Sequence, residues 1–158
     1  MSTRIQLFDK NNDNVTSDKI VFKINNGEWG DIFKGLCNIL DNGIVLDYIY
    51  FKHFATNLTY NMIINYITSN IDTILLKNEG FIVYVNLAKL TLADIEKHKD
   101  FIKEISLFLK SKYPDKLTKC YIHNAPFVFT QIFNIVSLFI DKDTQTKIEV
   151  VKTSSKNF

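Results

Sequence analysis

The sequence predicts an α/β protein: a mixed, largely parallel β-sheet with helices packed against it, preceded by an N-terminal β-hairpin or pair of strands. Three observations carry that reading. Residues 81–85, Phe-Ile-Val-Tyr-Val, form a near-continuous apolar run of the kind buried on both faces of a parallel sheet. From there to residue 151 the pattern alternates strand, helix, strand, helix, strand, the order that parallel crossovers require. The chain of 158 residues, 46% hydrophobic and 23% charged, suits one domain spanning residues 1–158, with enough core to fold without staples.

Taken in order, residues 4–8 and 19–24 each alternate partly between apolar and polar, as half-buried strands do. The turn formers of residues 9–18 lie between them. Asp9, Asn11 and Asp13 fall at the first three ligand positions of a calcium loop, but Asn14 stands where that loop needs glycine and Ile20 where it needs glutamate. A solvated loop is the better account. Residues 25–27, Asn-Asn-Gly, read as a turn. Ile32, Phe33, Leu36, Ile39 and Leu40 make a helical stripe over residues 31–40, closed by Asn42-Gly43, with Trp29 as a packing anchor just before it. Residues 44–54 are apolar, β-branched or aromatic and read as a buried extended segment.

Thr59 is placed to cap a helix over residues 60–76, where Ile63, Ile67, Ile71 and Ile74 form an amphipathic stripe. After the strand at 81–85 and a loop at 86–90, Thr91 or Asp94 starts a long helix running through Lys110. Its buried stripe is Ile95, Phe101, Ile102, Ile105, Phe108 and Leu109, and its lysines lie mainly off that stripe. Pro114 and Asp115 stop it. Leu117 and residues 120–122 read as a short strand. Pro126 suits the first turn of a helix, and residues 127–140 suit a helix buried on most of its circumference. The polar residues of that helix, Thr130, Gln131, Asn134 and Ser137, carry no charge. Such a stripe fits a face turned toward a cavity, a ligand or another protein layer; the alternative is a core helix whose small polar groups bond their own carbonyls. Residues 147–152 read as a last strand. There is no internal repeat, low-complexity segment or linker.

Composition narrows the function. A formal net charge of +2 with a single arginine, Arg4, argues against a nucleic-acid partner and against bidentate phosphate recognition. Thirteen Phe and seven Tyr supply much apolar surface to bury or to line a cavity with. Two cysteines, Cys37 and Cys120, form no disulfide framework, and neither a signal core nor a run of spanning length is present. A soluble, cytoplasmic protein is expected. His53, His98 and His123 share no motif. Cys120 and His123, three apart on a strand, point to opposite faces and could not easily share a metal ion. With no nucleophile elbow, phosphate loop or dinucleotide fingerprint, no enzyme activity, metal or cofactor is expected.

Tyr113-Pro114-Asp115-Lys116-Leu117, Tyr121-Ile122-His123-Asn124-Ala125-Pro126-Phe127, and Phe139-Ile140-Asp141 with Thr146-Lys147-Ile148 recur in an order and spacing that resembles the CRAL-TRIO lipid-binding domains, the family of the phosphatidylinositol/phosphatidylcholine transfer proteins. The resemblance is strongest over residues 81–151, vague over 31–80 and absent over the divergent strands of residues 1–27. It implies a pocket for one lipid or other hydrophobic molecule above a sheet floor, exchanged with a membrane surface by a moving gate helix. It also implies a headgroup contact for Glu104, whose alternative role is a solvated helix glutamate. Ser137 falls where the phosphoinositide-binding members carry a lysine, which removes a point-charge partner for phosphate. The family's N-terminal helical lobe and C-terminal gate helix are expected to be lacking, so a wall of the pocket needs another cover, a homodimer being one solution.

Two readings stay open at this point. The first is a non-enzymatic lipid or hydrophobic-ligand binding and transfer module, with phospholipid or a similar molecule bound by Glu104, Phe127, Phe129, Phe133, Asn134, Val136, Ser137 and Phe139. The second is a degenerate relative with a closed pocket, serving as a protein-interaction or scaffold module.

Overall fold

A computed structural model describes residues 13–152. One five-stranded sheet organises them, in the order β1 (Cys37–Leu40), β2 (Gly43–Asp47), β3 (Phe81–Asn86), β4 (Leu117–His123) and β5 (Ile148–Val150). β1 and β2 form an antiparallel hairpin, and β2 through β5 run parallel. The sheet is therefore mixed and largely parallel, as the sequence predicts. Each parallel step is bridged by helices: α3 (Tyr48–Phe54) and α4 (Tyr60–Leu75), then α5 (Leu92–Lys97) and α6 (Lys99–Lys112), then α7 (Phe129–Ser137) and α8 (Lys142–Gln145). Two further helices, α1 (Asp13–Asn25) and α2 (Trp29–Leu36), precede β1.

Register decides which side chains share a face. Ile44, Val83, Cys120 and Ile148 are partners across β2 to β5 and so point the same way. Helix α4 packs on the β1–β3 half of the sheet with the predicted stripe, Ile63, Ile67, Ile71 and Ile74, none more than 4% exposed. The α6 end is tied to α4 by the Tyr113 hydroxyl, which lies 2.6 Å from Asp72 Oδ1 and 3.1 Å from the Thr68 carbonyl. That clamp leaves the β3–β5 half of the face to α6, α7 and α8.

Several local expectations are corrected. Residues 19–24 are helical within α1, not a strand; the other half of the expected hairpin, residues 4–8, lies outside the described residues, as do Asp9 and Asn11 of the calcium-like pattern. Ile20 and Ile24 lie four apart, so one helix face buries both, while Val21 and Phe22 remain exposed. The helix expected over 31–40 ends at Leu36. Cys37 is already extended, and residues 41–42 make a hairpin turn rather than a helix cap, with Asp41 at φ 55°. Gly43 is required there: a Cβ would meet the Ile82 carbonyl oxygen at 2.9 Å.

The extended segment expected over 44–54 stops at Asp47, whose carboxylate accepts from the Ile49 amide and starts α3. Thr59 precedes α4 but makes no side-chain cap; its hydroxyl instead accepts from the Thr56 amide at 2.8 Å. Thr91 does cap, in a reciprocal box with Asp94, but the long helix breaks at His98 into α5 and α6. Helix α7 is shorter than expected and has no fully buried residue; it packs against α5 and α6.

Candidate ligand-binding cavity

Between the β3–β5 half of the sheet and helices α6, α7 and α8 lies a partly open cavity of about 340 Å³. The floor is the register row just described: Val83, Cys120 and Ile148, with Phe81 and Leu117 one pleat below. Leu109 of α6 and Tyr113 just past its end form one wall, and Val136 with Ile140 the other. Alternation along each parallel strand aims the apolar side chains of β3, β4 and β5 into this space. The cavity is apolar in depth, and its polar groups gather at the mouth: Lys110, Asp115, Asp141, Thr144 and Lys147.

The mouth has defined electrostatics. Asp141 caps α8, its Oδ1 accepting from the Thr144 amide at 2.7 Å. That hydrogen bond holds its carboxyl below the usual carboxylate range, with smaller help from the nearby Lys110 and Lys147 ammonium groups. Lys147 also reaches Asp143, 3.5 Å away. In depth the groups are quiet. Burial in apolar surroundings pushes the Cys120 thiol up to about 12, so it stays protonated. The Ser106 hydroxyl donates to the Ile102 carbonyl at 2.7 Å. Tyr113 spends its hydroxyl on Asp72 and the Thr68 carbonyl, and burial raises its pKa further. The lining thus offers shape and apolar contact below a charged rim, with its hydroxyls already bonded.

Of the eight site residues read from sequence, Val136 lines this cavity. Glu104 is exposed on the outer side of α6, and Asn134 is exposed on α7. Phe127 stands 93% exposed in the turn before α7. Phe129 and Phe133 lie half-buried against each other, ring centroids 6.2 Å apart, and Phe139 lies near Lys103, 5.7 Å from its ring centre. Ser137 donates to the Phe133 carbonyl at 2.6 Å, the self-bonded arrangement set out as the alternative for the neutral stripe. The residues that sequence reasoning missed, Phe81, Val83, Cys120 and Ile148, had one usable signal. Alternate positions on successive parallel strands must share a face.

Two other clusters are polar or aromatic. His98, 4% exposed at the α5–α6 break, lies 2.6 Å from the Tyr60 hydroxyl and against Phe51, and Phe101 packs on the Phe51 and Tyr60 rings. At the carboxyl ends of β2–β4, Asn86 donates to Asp47 and accepts from Asn124, which closes the strand ends. Among the described residues no three His, Cys, Asp or Glu side chains gather as a metal site needs, and no helix is long and apolar enough to cross a membrane.

A mixed sheet with this helix order is the α/β architecture that the sequence resemblance implies. The CRAL/TRIO domain model matches residues 41–158, and the chain belongs to that family. Among its relatives, the SEC14 cytosolic factor of Yarrowia lipolytica is 31% identical over 72 residues, 46% of this chain and 15% of that protein. The Sec14 cytosolic factor of Schizosaccharomyces pombe is 27% identical over 73 residues, 46% of this chain and 26% of that protein. The crystal structure of Sfh5 superposes with a TM-score of 0.63 at 18% identity, covering 72% of this chain and 43% of Sfh5, which establishes a shared fold. The matches thus span less than half the length of these relatives.

Proposed function

We propose that this chain binds one hydrophobic ligand in the cavity between β3–β5 and α6–α8 and acts on it by carriage rather than by chemistry. The observation that carries the reading is the cavity itself: about 340 Å³, apolar in depth, with charge confined to one mouth. Ligand sites have this form, a largely apolar hollow with a few placed polar groups. Membership of the CRAL/TRIO family supports a lipid or similar molecule as the occupant. Cys120 is held protonated and the Ser106 hydroxyl is committed to a carbonyl, so neither is a poised nucleophile.

The test is a fluorescence titration with naphthalene, a neutral ring system of a size the cavity admits. Saturable one-to-one binding that Val136→Phe weakens is the expected result. No saturable binding, together with no lipid acquired from mixed vesicles, would remove the reading. A second reading, a module that binds a protein partner, a second copy or transiently a membrane surface, is favoured by Phe127 and Leu138, which are 93% and 78% exposed.

A further inference from the structure

We infer that the sheet face turned away from the helices is a docking surface for this chain's own residues 1–12, which lie outside the described residues. The surface is separate from the cavity, on the other side of the sheet.

The face follows from topology. Strands β2 to β5 are parallel and lie side by side in chain order. Right-handed crossovers that all step in one direction set every bridging helix on the same face. The packing agrees. α4 lies on β1–β3, and α6, α7 and α8 wall the cavity above Val83, Cys120 and Ile148. The earlier helices join that layer: Phe33 of α2 meets Tyr66 of α4 at 5.1 Å, Phe51 of α3 meets Phe101 of α6 at 4.8 Å, and α1 packs on α2 and α3.

Register then defines the opposite face. Val45, Tyr84, Tyr121 and Glu149 are partners there, with Gly43, Ile82 and Lys119 beside them. Val45, Ile82, Tyr84 and Tyr121 are half-buried and lie outside the hydrophobic core. The two tyrosine rings stack, centroids 5.6 Å apart and 17° between planes. Tyr84 lies across Gly43, where a Cβ would meet its ring at 2.9 Å. An apolar parallel sheet is stable with both faces covered, and none of the described helices packs across this one.

The sequence selects the cover. Residues 19–24 are helical and give residues 4–8 no strand to pair with, while Ile5, Leu7 and Phe8 still carry apolar surface to bury. Arg4 precedes them, and a guanidinium stacks on tyrosine faces. Asp47, two residues from Val45 and so on the same face, supplies the opposite charge. Twelve extended residues span about 40 Å, and four strands spaced about 4.8 Å are roughly 15 Å across, so the reach is sufficient. Residues 153–158 offer one apolar side chain, Phe158. A second copy fits poorly: strands about 17 Å long make the face roughly 250 Å², against about 800 Å² per partner in a stable dimer.

The experiment is NMR spectroscopy of the full chain carrying a nitroxide maleimide at Ser2→Cys. Burial raises the native thiols to about 11 at Cys37 and about 12 at Cys120, so both stay protonated and unreactive at neutral pH. The Val45, Ile82, Tyr84 and Tyr121 side-chain resonances should lose intensity, while those of Ile67 and Ile71 in α4, beyond the sheet, keep theirs. Ile5→Asp with Leu7→Asp should restore the lost intensity and leave the Ile67 and Ile71 shifts in place, which shows the fold intact. Retained intensity at Val45, Ile82, Tyr84 and Tyr121 overturns the inference whatever the double variant does, as does a loss that the double substitution leaves unchanged. A loss read on isotope-labelled chains mixed with unlabelled nitroxide-bearing chains assigns the face to a second copy and overturns it too.

Discussion

Replacing Val136 with Phe tests the cavity from its α7 wall. Val136 lines the space but is only half-buried, so the larger ring has an open direction in which to grow. The substitution adds four carbons to a side chain that borders the space available to a ligand. At about 0.8 kcal/mol for each buried methylene-sized group, a ligand losing four such contacts loses about 3 kcal/mol, a roughly 100-fold weakening. The fold itself should change little. The ring gains apolar burial of similar size, and about 1 to 3 kcal/mol of overpacking strain offsets it. Titration of wild type and variant with one apolar ligand, alongside urea unfolding of both, separates the two effects. A variant as stable as wild type whose ligand affinity stays within threefold of it would refute the placement of the ligand against α7.

Ile63, wholly buried in α4 over the sheet, should cost about 3 to 4 kcal/mol of unfolding free energy when cut to Ala, read as a lower urea midpoint. Thr91→Ala removes half of the capping box that starts α5 and should cost about 1 kcal/mol in the same assay. Burial holds the folded-state pKa of His98 below its usual value, so the unfolded chain takes up the proton first. Stability should then be full above the unfolded histidine pKa of about 6.5 and fall as pH drops below it, well before the carboxylates titrate. His98→Gln should flatten that part of the pH–stability curve; an unchanged slope would remove His98 as its source, leaving His53, whose pKa burial also lowers.

The parallel core was readable because strand β3 is apolar on both faces and helix α4 repeats isoleucine at helical spacing, signals that depend on few distant contacts. The N-terminal third was not. Ile20 and Ile24 fit a helix face as well as they fit a strand, and only packing against α2 and α3 selects the helix. Likewise Cys37–Leu40 continues the stripe of α2 in sequence, yet the hairpin with β2 gives its backbone groups partners that a longer helix would not leave free.

The cavity was half legible. Aromatic density in residues 127–139 pointed to α7 as the binding element, and α7 does supply a wall through Val136. The floor comes from Val83, Cys120 and Ile148, far apart in sequence and brought together by register alone. Ser137 shows the opposite failure: a polar residue on a helix face suggested a ligand contact, while a carbonyl four residues back already takes its proton.

The most direct test of the account is native mass spectrometry of freshly purified protein, followed by organic extraction and identification of what is released. The cavity predicts a one-to-one adduct that survives gentle ionisation, is released on denaturation, and is diminished in Val136→Phe. A clean ligand-free mass that stays unchanged after incubation with alkyl carboxylates and mixed lipid vesicles would contradict it.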